Sequence, residues 1–309
     1  MKNMREFRYR LEHACLRGIE RVVNALPPRP VRGLAYLLAV ASHGICRRRI
    51  REGRRRLRTV FGERYTPREE ARVIRHAWHN LALSGIDILQ GAKRSDQWLA
   101  QHTNMLEVRK QLLGITGHGG GAVIACAHMG SWELAAIAGR RFGIPVFAIA
   151  APQKNPYFNQ WMVGLRERAG VDTLLRGDPN LIRKVVRRLK AGQFLAILPD
   201  IRVRGSGVPT PFLGKTANLG PGMALFARMA GVPIIPYLTY RLENGDHHFE
   251  VGTAVESDAT LDREADIRRM TLAVMQRIDA AIREHPEQWF WFNKRWILDP
   301  VTPETGNTA

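Results

Sequence analysis

The spacing of apolar residues changes about a third of the way along the chain. In the first 100 residues they recur every three to four positions, which is typical of one face of a helix. One such series runs from Leu11 to Leu26, with arginines between its members, and ends at prolines 27, 28 and 30. Another occupies residues 67 to 92 and begins with a Thr66 cap followed by Glu69 three residues later. We therefore predict a helical region over residues 1 to 100.

From about residue 104, short continuous apolar runs alternate with helical patterns, as in a buried, largely parallel sheet. Predicted strands lie near residues 121–127, 145–151, 193–198, 232–240 and 247–253. Predicted helices lie near residues 132–142, 156–169, 179–191, 219–230 and 263–284. The prediction is an α/β domain over residues 101 to 300, with a mixed, largely parallel sheet flanked by helices, and a polar tail over 301 to 309.

The net positive charge of the chain predicts an anionic partner. Lys and Arg total 47 and Asp and Glu total 28, a net charge of +19, while the hydrophobic content of 45% is that of a folded protein. Eight arginines fall within residues 47 to 58, directly after an apolar segment at 33 to 46. That segment is shorter than the roughly 18 to 20 residues that span a bilayer, so an anchor on an anionic membrane surface is favoured. A solvated helix face and a nucleic-acid-binding arm remain as alternatives.

Cysteine usage and the N-terminus bear on the compartment. Cys15, Cys46 and Cys126 form no C-x-x-C pair, so we expect neither a disulfide framework nor a metal site. The basic N-terminus lacks a continuous apolar stretch and a cleavage site, so we expect the chain to stay on the cytosolic side.

A candidate general base follows the first predicted strand. On one continuous helix, His128 and Glu133 would lie about 140° apart around the axis and could not cooperate. Gly130 and Ser131 break such a helix, with Ser131 as the expected N-cap, so Glu133 could reach back to one imidazole nitrogen. The alternative is a packed histidine, with Glu133 serving only to complement the helix dipole.

Three segments carry a family resemblance. AHMGSWELAA (127–136) resembles the His-x-x-x-x-Asp/Glu signature of glycerolipid acyltransferases, in the form found in bacterial lipid A late acyltransferases. ILPDIRVRGSGVPTPFLGKTANLGPGMALFARMAGVPIIP (197–236) and HPEQWFWFNKRW (285–296) are similar to later segments of that family. The resemblance covers roughly residues 100 to 298 in the family's order. It departs at Ile201, where many members have Gln, and this puts the loop's substrate preference in doubt. It also departs at Asn293, where many members have His, and this removes any role for that histidine.

The resemblance implies the transfer of a fatty acyl chain from an acyl carrier protein or coenzyme A thioester to a hydroxyl of a membrane lipid, foremost a lipid A precursor. It places the protein at the cytoplasmic face of the bacterial inner membrane. His128 is expected to deprotonate the hydroxyl, and Glu133 to hold the imidazole. No metal or redox cofactor is expected, because a thioester is already activated.

Phosphate-binding candidates lie in the second segment. Arg202 and Arg204 alternate around Val203, so an extended backbone would place both guanidinium groups on one side, where they could bind a substrate phosphate. Asp200 is expected to shape this loop, and Lys215 to add a third charge. Arg166 is a weaker candidate on a basic helix face. The alternative is an ordinary surface loop.

Other functions stay open. The acceptor could be a lysophospholipid or a glycolipid. From different classes, the chain could be a nucleic-acid-binding protein that uses residues 47 to 58, although no nucleic-acid motif follows them, or a membrane-attached scaffold without activity. The aromatic residues between 289 and 296 could form an interfacial belt, but a packed part of the core is favoured.

Overall fold

The computed structural model describes residues 2–117, 119–203 and 207–299. The prediction of a helical N-terminal region is confirmed, since helices follow one another from the first described residue. A capping box at Thr66 and Glu69 begins the fourth helix, also as predicted. The helices are α1 (Lys2–Ala25), α2 (Pro28–Ile45), α3 (Arg47–Phe61), α4 (Pro67–Gly91), α5 (Asp96–His102) and α6 (Met105–Thr116).

The remainder alternates strands and helices. In chain order these are β1 (Ala122–Cys126), α7 (Trp132–Arg141), β2 (Val146–Ala150), α8 (Pro156–Arg168), β3 (Asp172–Leu175), α9 (Leu181–Lys190), β4 (Phe194–Ile197), β5 (Val208–Phe212), β6 (Lys215–Leu219), α10 (Gly222–Ala230), β7 (Ile234–Arg241), β8 (His247–Val251) and α11 (Arg263–Glu284). A 3-10 turn, Pro286–Gln288, follows α11.

The hydrophobic pattern did not predict three of these strands, which are β3, β5 and β6. β3 is a short edge strand whose residues are partly or fully exposed, so it carries no apolar run. β5 contains Pro209 and Pro211, which argue against a strand within a sheet. It pairs with β6 in a separate two-stranded ribbon, where a proline can face away from its only neighbour.

The main sheet has six strands in the order β3-β2-β4-β1-β7-β8. All neighbours are parallel except β7 and β8, which are antiparallel. This confirms the predicted mixed, largely parallel sheet flanked by helices. β1 lies between β4 and β7, and all five of its residues are buried. Segments that leave the carboxyl ends of β1, β4 and β7 therefore meet at one edge of the sheet.

The aromatic residues near the end of the chain belong to the core, as the sequence favoured. Trp289, Trp291, Phe292 and Trp296 are all buried. Arg56 of α3 is buried with them and donates hydrogen bonds of 2.7 Å to the carbonyl oxygens of Trp291 and Asn293. The N-terminal helices thus pack against the last part of the α/β layer.

Four of the eight arginines at 47 to 58 form ion pairs with described carboxylates. Besides Arg56, Arg54 and Arg58 pair with the buried Glu70, and Arg55 pairs with Glu52. Folding therefore accounts for about half of the positive charge that suggested a membrane or nucleic acid.

The outer faces of α1 and α2 are apolar and exposed. Phe7 is 68% exposed, Leu37 65% and Ile45 84%. Among the described residues, no helix is both long enough and apolar enough to cross a membrane. Association of this region with a membrane stays a prediction.

Candidate active site

The register of the sheet brings together two side chains that lie 72 residues apart in the sequence. β1 and β4 are parallel neighbours in which Ala125 is paired with Ile197. His128 and Asp200 each lie three positions beyond these residues, where both chains leave the sheet. The His128 Nδ1 atom lies 2.7 Å from Oδ1 of Asp200.

The Asp200 carboxylate accepts two further hydrogen bonds. Its Oδ2 atom lies 2.8 Å from the backbone nitrogen of His128 and 2.8 Å from Nε1 of Trp289. Its side chain is only 1% exposed. Burial alone would raise the pKa of the Asp200 carboxyl, but the neighbouring His128 and the hydrogen bonds together hold that pKa below its usual value. Asp200 is thus a buried, ionised acceptor.

This arrangement fixes the tautomer of the imidazole. A carboxylate can only accept hydrogen bonds, so Nδ1 of His128 carries a proton, and in the neutral ring the lone pair lies on Nε2. The His128 side chain is 21% exposed, and Nε2 has no hydrogen-bond partner among the described residues. Trp132 and Phe290 flank the ring, with centroids 5.2 and 6.3 Å from it. The imidazole is therefore held in one orientation, with Nε2 unpaired within the described part of the chain.

Glu133 does not contact Nδ1 of His128, although the sequence suggested such a contact, because Asp200 occupies that position. Glu133 does lie in the first turn of α7, but its carboxylate makes a two-point ion pair with Arg166 of α8, with Nε 3.0 Å from Oε2. Burial would lower the pKa of Arg166, but its bonds with Glu133 raise it. Ser131 occupies the N-cap position without making a side-chain capping bond.

The turn that carries His128 is held from three sides. Gly130 has a φ of +55°, and a Cβ at this position would lie 2.2 Å from the carbonyl oxygen of Thr239. The Ser84 hydroxyl of α4 donates to the Gly130 carbonyl at 2.6 Å, and the Thr239 hydroxyl of β7 donates to the Met129 carbonyl. The Gly130 N–H donates to Gln288 at 3.2 Å. These bonds fix the backbone immediately after the base.

Ser84, Thr239 and Trp289 were not identified from the sequence. Each is distant from His128 in the chain, and only the packing of α4, β7 and the 3-10 turn brings them to it. Ser84 lies in a predicted helix, where it is one of several polar residues at buried positions, together with Asn80 and Asp87.

An apolar cavity of about 40 Å³ lies beside the base. Trp132, which contacts the His128 ring, also lines this cavity. Small side chains of α7, Ala135, Ala136 and Gly139, form one wall, and Cys126 lies on the strand side. The base is thus adjacent to a space suited to hydrocarbon.

The remaining predicted residues are dispersed. Asp200, expected to shape a loop, lies against the base instead. Arg202 follows it in the same loop, where its N–H donates to the carbonyl of Arg295. Arg204 lies outside the described residues. Lys215 is exposed at the turn of the β5–β6 ribbon and lines a cleft beside Asp279 of α11.

No cluster of three or more metal-binding side chains occurs within residues 2–117, 119–203 and 207–299.

Comparison with known proteins gives a consistent set of similarities. Residues 2–297 match the family described as bacterial lipid A biosynthesis acyltransferase. A phosphatidylinositol mannoside acyltransferase of Mycolicibacterium smegmatis is 25% identical over 185 residues, which are 59% of this chain and 58% of that protein. One from Mycobacterium tuberculosis is 24% identical over 183 residues, 58% of this chain and 55% of that protein. The matched part therefore spans little more than half the length of these relatives.

Proposed function

The chain belongs to the bacterial lipid A biosynthesis acyltransferase family, and from that premise we propose that it transfers a fatty acyl chain from a thioester to a hydroxyl of a membrane lipid, with His128 as the general base. The observation that carries this proposal is the His128–Asp200 contact, which leaves Nε2 unoccupied beside an apolar cavity. A thioester is already activated, so the proposed reaction needs no metal or redox cofactor.

The reaction follows from the tautomer of His128. The acceptor hydroxyl gives its proton to Nε2 as its oxygen attacks the thioester carbonyl. The new C–O bond forms, the C–S bond breaks, and the imidazolium returns the proton to the departing thiolate. Asp200 holds the ring and stabilises its charged form, as the carboxylate does in a Ser-His-Asp triad. This assigns to Asp200 the role that the sequence suggested for Glu133.

We assign Glu133 a different task within the same site. Its ion pair with Arg166 joins the start of α7 to α8, and the side chains are only 14% and 19% exposed. Arg166 held in this way is a candidate for contacting substrate phosphate, together with Arg202, Arg204 and Lys215. A guanidinium that binds phosphate equally in the ground and transition states affects the Michaelis constant more than turnover.

The acyl chain is proposed to enter the cavity behind Trp132, which must widen to hold more than its first carbons. The donor is an acyl carrier protein or coenzyme A thioester, and a chain with a net charge of +19 would attract either of these anionic molecules.

The exposed apolar faces of α1 and α2 are proposed to rest on the cytoplasmic face of the inner membrane, beside anionic headgroups that contact Arg48 and Arg51 of α3. Both of these arginines are exposed.

Two acceptors are proposed. Membership of the family supports a lipid A precursor, and the similarity to the mycobacterial acyltransferases supports a mannosylated phosphatidylinositol or similar glycolipid.

The decisive experiment incubates the purified protein with acyl carrier protein or coenzyme A thioesters and each acceptor, and detects the acylated lipid by mass spectrometry. His128→Ala is the matched inactive control. If no combination of donor and acceptor gives a product that depends on His128, the proposed function is wrong. Comparison of lipids from cells with and without the gene identifies the natural acceptor.

A further inference from the structure

A second cavity lies between α2 and α4 and shares no lining residue with the cavity beside His128. Its volume is about 120 Å³. Three basic side chains, those of His43, Arg75 and His79, line it together with the aromatic rings of Tyr36 and Trp78. A water molecule occupies about 30 Å³ in the liquid, so this space is large enough for a phosphate group.

The wall of this cavity carries positive charge and no negative charge. Arg75 is exposed and forms no ion pair with any described residue. Burial, followed by the charge of Arg75, lowers the pKa of His43. Burial, followed by the charges of Arg241 and His76, lowers the pKa of His79. Among the described residues, no carboxylate contributes to either shift, so the cavity is electrostatically suited to an anion.

One fully buried nitrogen of a residue that lines the cavity lacks a hydrogen-bond partner among the described residues. Nε2 of His79 is buried and bonds to no described atom. Buried polar atoms are rarely left unpaired, because the loss of hydration costs about 1–3 kcal/mol. By contrast, the indole nitrogen of Trp78 is paired, since it donates to the Ser42 hydroxyl at 3.0 Å. The hydrogen-bonding capacity of the His79 ring is therefore not used within the described part of the chain.

The cavity lies beside an exposed apolar surface. Tyr36, Leu37 and Val40 of α2 are 55%, 65% and 51% exposed. Tyr36 and Val40 also line the cavity, and the Tyr36 ring meets the His79 ring edge-on at 5.5 Å. An occupant could therefore place an anionic group among the histidines and Arg75 while its hydrocarbon lies along α2.

We propose that this cavity binds the phosphate of a membrane lipid, whose tails cover the outer face of α2. The inference rests on the proposed contact of α1 and α2 with a membrane. Arg75 supplies the charged fork that recognises phosphate, beside the ring of His79. Such a lipid fixes the depth and orientation of the protein on the bilayer independently of the acyl acceptor.

The test uses the full chain with vesicles of phosphatidylcholine, with and without a small fraction of phosphatidic acid, and measures binding by sedimentation. Arg75→Gln is compared with Arg72→Gln, which removes the same charge from an exposed position of the same helix that does not line the cavity. We expect Arg75→Gln to weaken binding to the phosphatidic acid vesicles about tenfold, because a charge-assisted hydrogen bond is lost. Arg72→Gln should cause a several-fold smaller loss.

A second measurement distinguishes a lipid headgroup from free phosphate. Inorganic phosphate is titrated at constant ionic strength while tryptophan fluorescence is followed, since Trp78 lines the cavity. Equal losses of vesicle binding in the two variants refute the cavity as a lipid site. Phosphate binding that depends on Arg75, without an effect of Arg75 on vesicle binding, assigns the cavity to a soluble phosphate and overturns the lipid proposal.

A different result is expected if α1 and α2 do not contact a membrane. If the wild type binds neither kind of vesicle, the membrane contact of α1 and α2 is wrong, and the lipid proposal falls with it. Acyl transfer measured in detergent is independent of both results and reports on His128 alone.

Discussion

Replacement of Asp200 by Asn tests the reassignment of the residue that orients the base. The carboxylate accepts three hydrogen bonds, from Nδ1 and the backbone nitrogen of His128 and from Nε1 of Trp289. Asparagine keeps one oxygen and replaces the other with an amide that donates. If that amide faces Nδ1, the imidazole must adopt the opposite tautomer, with its proton on Nε2. The nitrogen that should accept the hydroxyl proton is then blocked.

The expected loss is large. A carboxylate-to-amide change at the orienting position of a Ser-His-Asp triad lowers turnover about 10⁴-fold, and we expect a decrease of about 10³- to 10⁴-fold here. This corresponds to about 4–5.5 kcal/mol of transition-state stabilisation. Stability should fall by about 1–3 kcal/mol, because the hydrogen bonds lose their charged acceptor.

The stability loss should depend on pH. The pKa of the Asp200 carboxyl is lower in the folded protein than its ordinary value of 3.8. The ionised carboxylate therefore stabilises the fold above that ordinary value, and the contribution disappears as the pH falls through the lower folded pKa. Wild type and Asp200→Asn should differ most in stability near neutral pH and converge in acid.

The assay compares turnover of Asp200→Asn, Glu133→Gln, His128→Ala and the double variant of His128 and Asp200, with circular dichroism as the check on folding. Because His128 and Asp200 act as a unit, the double variant should be no slower than His128→Ala alone. Glu133→Gln should raise the Michaelis constant more than it lowers turnover. A folded Asp200→Asn protein with near wild-type turnover would refute this assignment, as would a Glu133→Gln protein with the loss expected for Asp200.

Three further changes have defined outcomes. Gly130→Ala should lower both turnover and the free energy of unfolding in urea, the latter by at least about 1–2 kcal/mol, because its Cβ would overlap the Thr239 carbonyl at a positive φ; unchanged values would show that the turn adapts. Ala136→Leu should shift the preferred donor to shorter acyl chains by filling the apolar cavity; competition between thioesters of different length should show no shift if the chain binds elsewhere. His247 is buried, and burial lowers its pKa to about 4 from an ordinary 6.5. Its neutral form therefore favours folding fully above pH 6.5, and up to about 3 kcal/mol is lost as the pH falls towards 4. His247→Gln should make the free energy of unfolding in urea depend less on pH between pH 6.5 and 4. An unchanged pH dependence would contradict the lowered pKa of His247.

The sequence determined most elements of this protein, because each is specified by a local pattern. The period of apolar residues predicted the helical first 100 residues, the five apolar strands and the helices between them. The capping box at Thr66 and the position of His128 beyond a buried strand were equally local. The strands that the sequence did not predict lacked such a signal, since β3 is an exposed edge strand and β5 carries two prolines.

The partner of the base was decided only in the tertiary structure. From sequence, Glu133 was the natural choice because it lies five residues from His128, whereas Asp200 is 72 residues away. The order of the strands in the sheet favours Asp200 instead. β4 lies directly beside β1, so the segments that leave these two strands begin in register, while α7 directs Glu133 towards Arg166. Local spacing can locate a reactive side chain, but the strand order, which depends on packing across the whole domain, selects the group that holds it.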